Sequence, residues 1–233
     1  MTTRREDGQI YLIAGATRSG KTAWMRRNLL QHERALIWDV EGEWSQLPNT
    51  YTVTSVSYLQ ELTQAATPGK QYHIAFVPGG NLKKQFDDFC RIAFNWGNKH
   101  DKTAVVVEEL ADVTPPGKAP DAWGIVLRRG CKRGMRVYGI TNRPAESDKT
   151  IIAQAAHLIV FEQRRALDRE YIAKELQIAV DQIPTKQLIY IHKNNLERTL
   201  KVDSITFPQE YAPPGVRRDY AGGACKRPPV VLE

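Results

Sequence analysis

The chain has 233 residues, 42% of them hydrophobic and 25% charged, which suits one folded domain with a substantial core. Lysine and arginine total 33 against 26 acids, a net charge of +7 that admits a polyanionic partner without selecting one. No run approaches the roughly 18 apolar residues of a membrane helix, residues 1–8 are charged rather than an apolar leader, and Cys90, Cys131 and Cys225 fall outside any C-x-x-C pattern. A membrane span, a disulfide scaffold and a zinc site are thereby set aside, the five scattered histidines show no metal-ligand spacing, and a cytosolic protein is expected.

The first apolar run of strand length, Ile10–Ala14, leads into Gly15-Ala16-Thr17-Arg18-Ser19-Gly20-Lys21-Thr22. That octet satisfies G-x-x-x-x-G-K-[ST] in the strand–loop–helix setting the motif requires. Glycine lets the backbone curl with its N–H groups turned toward phosphate oxygens, and the following helix adds its positive end. Lys21 is then expected on the β- and γ-phosphates and the Thr22 hydroxyl on Mg²⁺, which makes ATP and Mg²⁺ the expected cofactors.

Two further strand-length runs, Ala35–Trp38 and Tyr72–Val77, precede a helix over Leu82–Trp96, in which Leu82, Phe86, Phe89, Ala93 and Trp96 form one apolar stripe. Next comes Thr103-Ala104-Val105-Val106-Val107-Glu108-Glu109, an apolar strand ending in two carboxylates. Such a pair places one acid near Mg²⁺, here Glu108, and one where it can act as general base on an attacking water, here Glu109. Because two strand candidates separate the phosphate loop from this pair, the metal acid is not expected on the strand adjacent to the loop. The order favours a layout with an inserted strand and a catalytic glutamate.

Strand-length runs recur at Val137–Ile140 and Leu158–Phe161, a helix is expected over Leu167–Leu176, and Leu188–His192 with Leu196–Val202 reads as a hairpin turning at Lys193–Asn195. Alternating strands and helices imply an α/β fold with a mostly parallel central sheet flanked by helices and a C-terminal antiparallel hairpin, and with the phosphate loop this resembles the RecA-like fold of P-loop NTPases. Residues 1–207 form one P-loop ATPase domain in this reading. From Pro208 onward five prolines and little hydrophobic periodicity predict an extended tail over residues 208–233.

Three more segments complete a pattern. Ile37-Trp38-Asp39-Val40-Glu41-Gly42-Glu43-Trp44 is an apolar strand ending in D-x-x-G-E-aromatic. Leu127-Arg128-Arg129-Gly130-Cys131-Lys132-Arg133-Gly134 is a basic segment, and it leads into Val137-Tyr138-Gly139-Ile140-Thr141-Asn142-Arg143-Pro144. Together with the phosphate loop and the acid pair, over roughly residues 9–162, these segments resemble the HerA/FtsK superfamily of DNA-pumping ATPases. The short single-domain length further resembles the genome-packaging ATPases of tailless, membrane-containing icosahedral double-stranded-DNA viruses. Two positions depart from the pattern: Asn142 stands where glutamine is more frequent, and Glu108 where many P-loop ATPases carry aspartate.

The resemblance implies an ATPase that works as a homo-oligomeric ring and translocates double-stranded DNA without regard to sequence. It implies placement in the host cytoplasm or on the virion, with viral capsid or membrane-vertex proteins as further partners. Asn142 would sense the γ-phosphate or orient water, and Glu43 would support the active site. The stretch from Arg128 to Arg143 contains Arg128, Arg129, Lys132, Arg133, Arg136 and Arg143 without one acid. As a charge run it fits a solvated face; in a ring, Arg129 and Arg133 are the leading candidates for an arginine offered to a neighbour's nucleotide, while Arg143 could act in either sense. Lys118, in the loop from Ala111 to Trp123, is a candidate DNA contact, although an inert surface loop fits it equally. Competing functions are a filamentous-phage-type assembly ATPase, a cellular HerA-like DNA pump and a small-molecule phosphotransferase.

Overall fold

The computed structural model describes residues 8–66, 70–100 and 102–206. The expected tail over 208–233 lies outside these residues. In chain order the elements are β1 (Gln9–Ala14), α1 (Lys21–Leu29), β2 (Arg34–Trp38), β3 (Thr50–Val53), α2 (Val56–Ala65), β4 (Tyr72–Phe76) and α3 (Leu82–Lys99). They continue with β5 (Ala104–Val107), α4 (Leu110–Val113), α5 (Asp121–Ile125), β6 (Arg136–Thr141), α6 (Lys149–Gln154), β7 (His157–Val160), α7 (Ala166–Leu176), β8 (Ile189–Asn194) and β9 (Thr199–Ser204). A wide turn and a tight helical turn carry α5 on to Arg133.

These strands form one sheet in the order β3-β4-β2-β5-β6-β1-β7-β8-β9. Pairings from β3 through β7 are parallel, and β8 and β9 add antiparallel to β7. Helices cover both faces, because the central strands are buried on both sides and read as continuous apolar runs. This is the α/β, RecA-like architecture expected, with its C-terminal hairpin. The inserted strand is also present, but it is β6, which comes later in the chain and lies between β5 and β1. The two runs that precede the acid pair, β2 and β4, stand on the far side of β5.

On one face Trp38 is packed edge-on by Phe86 at 5.1 Å and Phe89 at 5.5 Å between ring centroids, so the stripe of α3 closes the core as its period requires. Asn81 caps α3 by accepting the Lys84 N–H, and Ser55 caps α2 by accepting that of Tyr58. On the other face α1 buries Trp24, Met25 and Leu29 against Ile13, Ile37 and Phe161.

That second face also carries a row of polar rings. Tyr11 stacks between Tyr138 at 4.7 Å and His157 at 4.3 Å. His157 Nδ1 is 3.0 Å from His192 Nε2, and His32 Nε2 is 2.8 Å from the Tyr138 hydroxyl. Burial, reinforced by the Arg136 guanidinium, holds both His32 and His157 down at about 4. Histidines scattered in sequence thus meet across strands, yet among the described residues no group of three or more potential ligands could hold a metal ion.

Candidate nucleotide site

Parallel strands present their C-terminal ends at one edge of the sheet, where the loops leaving them converge. Register fixes the neighbours there: Trp38 is opposite Val107, so Asp39 and Glu108 follow side by side, and Ala14 is opposite Thr141, so Gly15 and Asn142 do the same. The Gly15 N–H donates to the Thr141 carbonyl at 3.1 Å and the Ala16 N–H to that of Glu162 at 2.7 Å, which anchors the phosphate loop to β6 and β7.

Within the loop two glycines are required by space and torsion. A Cβ on Gly15 would lie 2.6 Å from Ser19 Oγ and 2.7 Å from Phe161 Cβ. Gly20 has φ +122°, and α1 starts immediately behind it, so the first amides of that helix have no carbonyl to bond. Lys21 is buried and its Nζ donates to the carbonyls of Gly15 at 2.7 Å and Ala16 at 3.0 Å. Burial lowers its pKa, and Glu109, Glu108 and Glu43 act in the opposite sense.

Glu108 is 6% exposed, and burial pushes its carboxyl up to about 8. Asp39, Glu43 and Glu109 push it further in that direction, while the Trp44 indole opposes the shift without completing a hydrogen bond. Glu109 turns out of β5 in the left-handed region at φ 45°, starting α4. Its pKa is also raised by burial, against the pull of Lys21. Asn142 Nδ2 donates to Glu109 Oε1 at 3.5 Å, the long limit of a hydrogen bond. Lys21, Glu108, Glu109 and Asn142 therefore lie together at one edge of the sheet.

Asp39 belongs to this group although sequence reasoning did not single it out. It is wholly buried, and its Oδ2 accepts the N–H groups of Trp44 at 3.1 Å and Ser45 at 2.8 Å, which closes the 39–45 loop. Its Oδ1 has no partner. The signal was present, since Asp39 ends the apolar run of β2 as Glu108 ends that of β5. Glu43 stands at the rim instead, half exposed and 3.9 Å from the Arg26 guanidinium.

The hairpin also reaches this edge, a contact no motif announces. The Leu188 N–H donates to the Ser19 carbonyl at 2.8 Å, and the Ile205 N–H donates to the Leu188 carbonyl at 2.8 Å. A Cβ on Gly20 would meet Leu188 at 3.2 Å and Ile205 at 3.3 Å, so the hairpin base lies directly against the phosphate loop.

Arg129 and Arg133 are not brought to this edge. The helix bearing them runs back along the sheet, and Cys131 accepts the Gly8 N–H just before β1, a strand length of roughly 17–20 Å from the phosphate loop. Arg133 donates from Nε to Asn98 Oδ1, and its guanidinium lies 4.7 Å from the Phe94 ring centroid. Arg143, at the tip of β6, is at the phosphate edge, where Glu146 binds it at 3.3 Å and Arg165 at 2.6 Å.

Among the described residues no helix is long and apolar enough to cross a membrane. The chain matches no protein-family profile. It is 31% identical over 205 residues to protein P9 of Pseudoalteromonas phage PM2, covering 84% of this chain and 90% of that protein. Its fold is shared with B204, the DNA-packaging ATPase of Sulfolobus turreted icosahedral virus, at a TM-score of 0.69 and 20% identity over 88% of this chain and all of B204. The genome-packaging NTPase B204 of Sulfolobus turreted icosahedral virus 2 in complex with ATP-gammaS gives a TM-score of 0.68 at 19% identity, covering 85% of this chain and 98% of that one. With a relative aligned along nine-tenths of its length, the chain belongs to the family of protein P9 of phage PM2, and its phosphate loop, acid pair and inserted strand resemble the HerA/FtsK superfamily of P-loop ATPases, on a fold shared with the genome-packaging ATPase B204 of an icosahedral virus.

Proposed function

We propose that the chain hydrolyses ATP with Mg²⁺ and spends that energy moving double-stranded DNA into a viral capsid as a homo-oligomeric ring. The observation that carries this reading is the convergence of Glu108, Glu109 and Asn142 on Lys21 at adjacent strand ends. The cluster is chemically incomplete by itself: Asp39, Glu108 and Glu109 all have raised pKa values, and Asp39 Oδ1 has no partner. A divalent cation with a phosphate chain fits that surplus of acid, Mg²⁺ supplying charge neutralisation at the β- and γ-phosphates.

Residues 15–22, Gly15, Ala16, Thr17, Arg18, Ser19, Gly20, Lys21 and Thr22, hold the phosphates through backbone N–H groups and the Lys21 ammonium. The Thr22 hydroxyl and the Glu108 carboxylate are the residues that would hold the metal, which would supply charge neutralisation there. Glu109 accepts the proton of the attacking water, and Asn142, within reach of Glu109, orients that water toward the γ-phosphate. Glu43 acts from the rim by steadying Arg26 and the 39–45 loop. Arg129 and Arg133, remote from their own phosphate loop, are assigned to a neighbouring subunit's nucleotide. Capsid or membrane-vertex proteins would hold the ring in place, in the host cytoplasm or on the virion.

The test is ATP hydrolysis with and without duplex DNA, in the absence of any small acceptor. Turnover stimulated by duplexes of unrelated sequence, with binding that weakens steeply in salt, is the expected result. Transfer of phosphate to a nucleoside or other small molecule, with no effect of DNA, would establish the phosphotransferase alternative instead.

A further inference from the structure

We infer that Lys118 and Lys149 form one ridge that bears on the phosphate backbone of duplex DNA, and that Asp148 is the positioning residue that joins this ridge to the catalytic edge. The inference rests on the DNA-translocating reading and adds to it the contact surface and its link to hydrolysis.

Two segments leave the catalytic edge separately. Residues 110–120 follow Glu109 directly, and residues 143–150 follow Asn142 directly. They meet again at Asp148, which is wholly buried. Asp148 Oδ2 accepts the Trp123 indole N–H at 3.1 Å, its Oδ1 accepts the Ile151 N–H at 2.9 Å, and its own N–H donates to Thr114 Oγ1 at 3.3 Å. Thr114 in turn donates to the Leu110 carbonyl at 2.8 Å, one residue beyond Glu109. On the other branch Ser147 Oγ donates to Thr141 Oγ1 at 3.0 Å, one residue before Asn142. The segments that follow Glu109 and Asn142 are thus both tied to Asp148, the first through Thr114 to its backbone N–H and the second through its chain neighbour Ser147, so a displacement of either acts on the residue whose carboxylate holds Trp123.

At the surface the two segments are stitched together. The Lys149 N–H donates to the Gly117 carbonyl at 2.8 Å, and the Ala119 N–H donates to Thr150 Oγ1 at 3.0 Å. This sets Lys118 and Lys149 next to each other, both exposed, and neither has an ion-pair or hydrogen-bond partner for its ammonium among the described residues. Of the two acids in the second segment, Asp148 is buried and Glu146 is already held between Arg143 and Arg165. Two uncompensated cations on a braced ridge suit a polyphosphate backbone, which is recognised by charge rather than by sequence.

Full-length protein with duplex DNA tests both parts. Replacing Lys118 and Lys149 together by Ala should reduce the slope of log affinity against log salt by about two, one released counterion for each lost contact. Trp123→Phe keeps an aromatic ring beside Phe86, which lies 5.8 Å from the Trp123 ring, but removes the N–H that Asp148 accepts. This variant should bind DNA and turn over ATP alone as wild type does, while stimulation by DNA falls about fivefold or more. Asp148→Asn, if it folds, should behave like Trp123→Phe. An unchanged salt slope in the lysine variant, full stimulation of Trp123→Phe, or equal loss of its basal and stimulated rates would overturn the inference. A wild-type protein indifferent to duplex DNA would overturn the DNA reading itself, and the ridge with it.

Discussion

The acids at the catalytic edge are held in a state unlike that of surface carboxylates, and their chemistry follows from it. Glu109 faces Lys21 on one side and Asn142 on the other, so its amide analogue keeps the shape but cannot take a proton. Glu109→Gln is expected to bind ATP with near wild-type affinity and to lose at least about a hundredfold in turnover, measured by equilibrium binding beside steady-state hydrolysis. Equal losses in both would make Glu109 a structural or metal residue. Glu108 offers a different handle, since its folded pKa of about 8 lies well above the ordinary carboxylate range. An acid whose pKa is raised on folding favours the fold while protonated, and that stability is lost as pH rises through the folded value. Without nucleotide or Mg²⁺, wild type should therefore lose melting temperature relative to Glu108→Gln between pH about 5 and about 9. Parallel curves would show that Glu108 is not buried as an acid. Sequence made Lys21, Glu108 and Glu109 legible because each sits at a fixed offset from an apolar strand. Asp39 has the same offset from β2, but its work, accepting the Trp44 and Ser45 amides, depends on a loop conformation that no spacing encodes.

The row of rings under α1 is a feature of several elements at once, contributed by β1, β6, β7, β8 and the turn after α1. His32 and His157 are held at about 4, so the unfolded chain takes up protons before the folded one does. The stability they contribute is complete above the ordinary imidazole range and is lost as pH falls from about 6.5 toward 4. His157→Gln should flatten that acid limb in melting temperature against pH; an unchanged limb would place the lability elsewhere. Strand and helix identity was legible here wherever the period was long, as in α3 and the core strands. β3 was missed because Thr50–Val53 is a four-residue strand at the sheet edge, too short for alternation to register. The hairpin was found with its turn displaced: β8 runs on to Asn194, and Asn194 Oδ1 accepts the N–H groups of Leu196 at 3.0 Å and Glu197 at 3.2 Å. That side chain builds the turn over 195–198 and leaves Leu196 exposed, so an apolar residue read as strand is turn instead.

For the molecule as a whole, the spatial order of parallel strands is not written in any local pattern, which is why an inserted strand was expected but β6 could not be named. The same holds for the basic stretch from Arg128 to Arg143, whose two ends lie at opposite edges of the sheet. Arg129 and Arg133 sit at the edge away from their own phosphate loop, and in the proposed ring they would meet a neighbour's nucleotide. Replacing either by Ala should leave ATP binding and assembly nearly intact and remove most hydrolysis, since a transition-state contact is lost. Mixing that variant with Glu109→Gln should restore part of the activity, because some interfaces then pair an intact base with an intact arginine. No recovery despite verified subunit exchange would confine these arginines to their own subunit's fold. The hairpin's grip on the phosphate loop also has a temporal side. Ser19 is made early, but the Leu188 amide that braces it lies about 170 residues downstream, and at about 5–20 residues per second synthesis needs roughly 10–30 s to reach it. A nascent chain that already carries the phosphate loop, the acid pair and Asn142 still lacks the brace. Ribosome-arrested chains of increasing length should retain labelled nucleotide only after Leu188 and Ile205 have emerged, so the proposed ATPase would be kept from consuming ATP until β9 is in place.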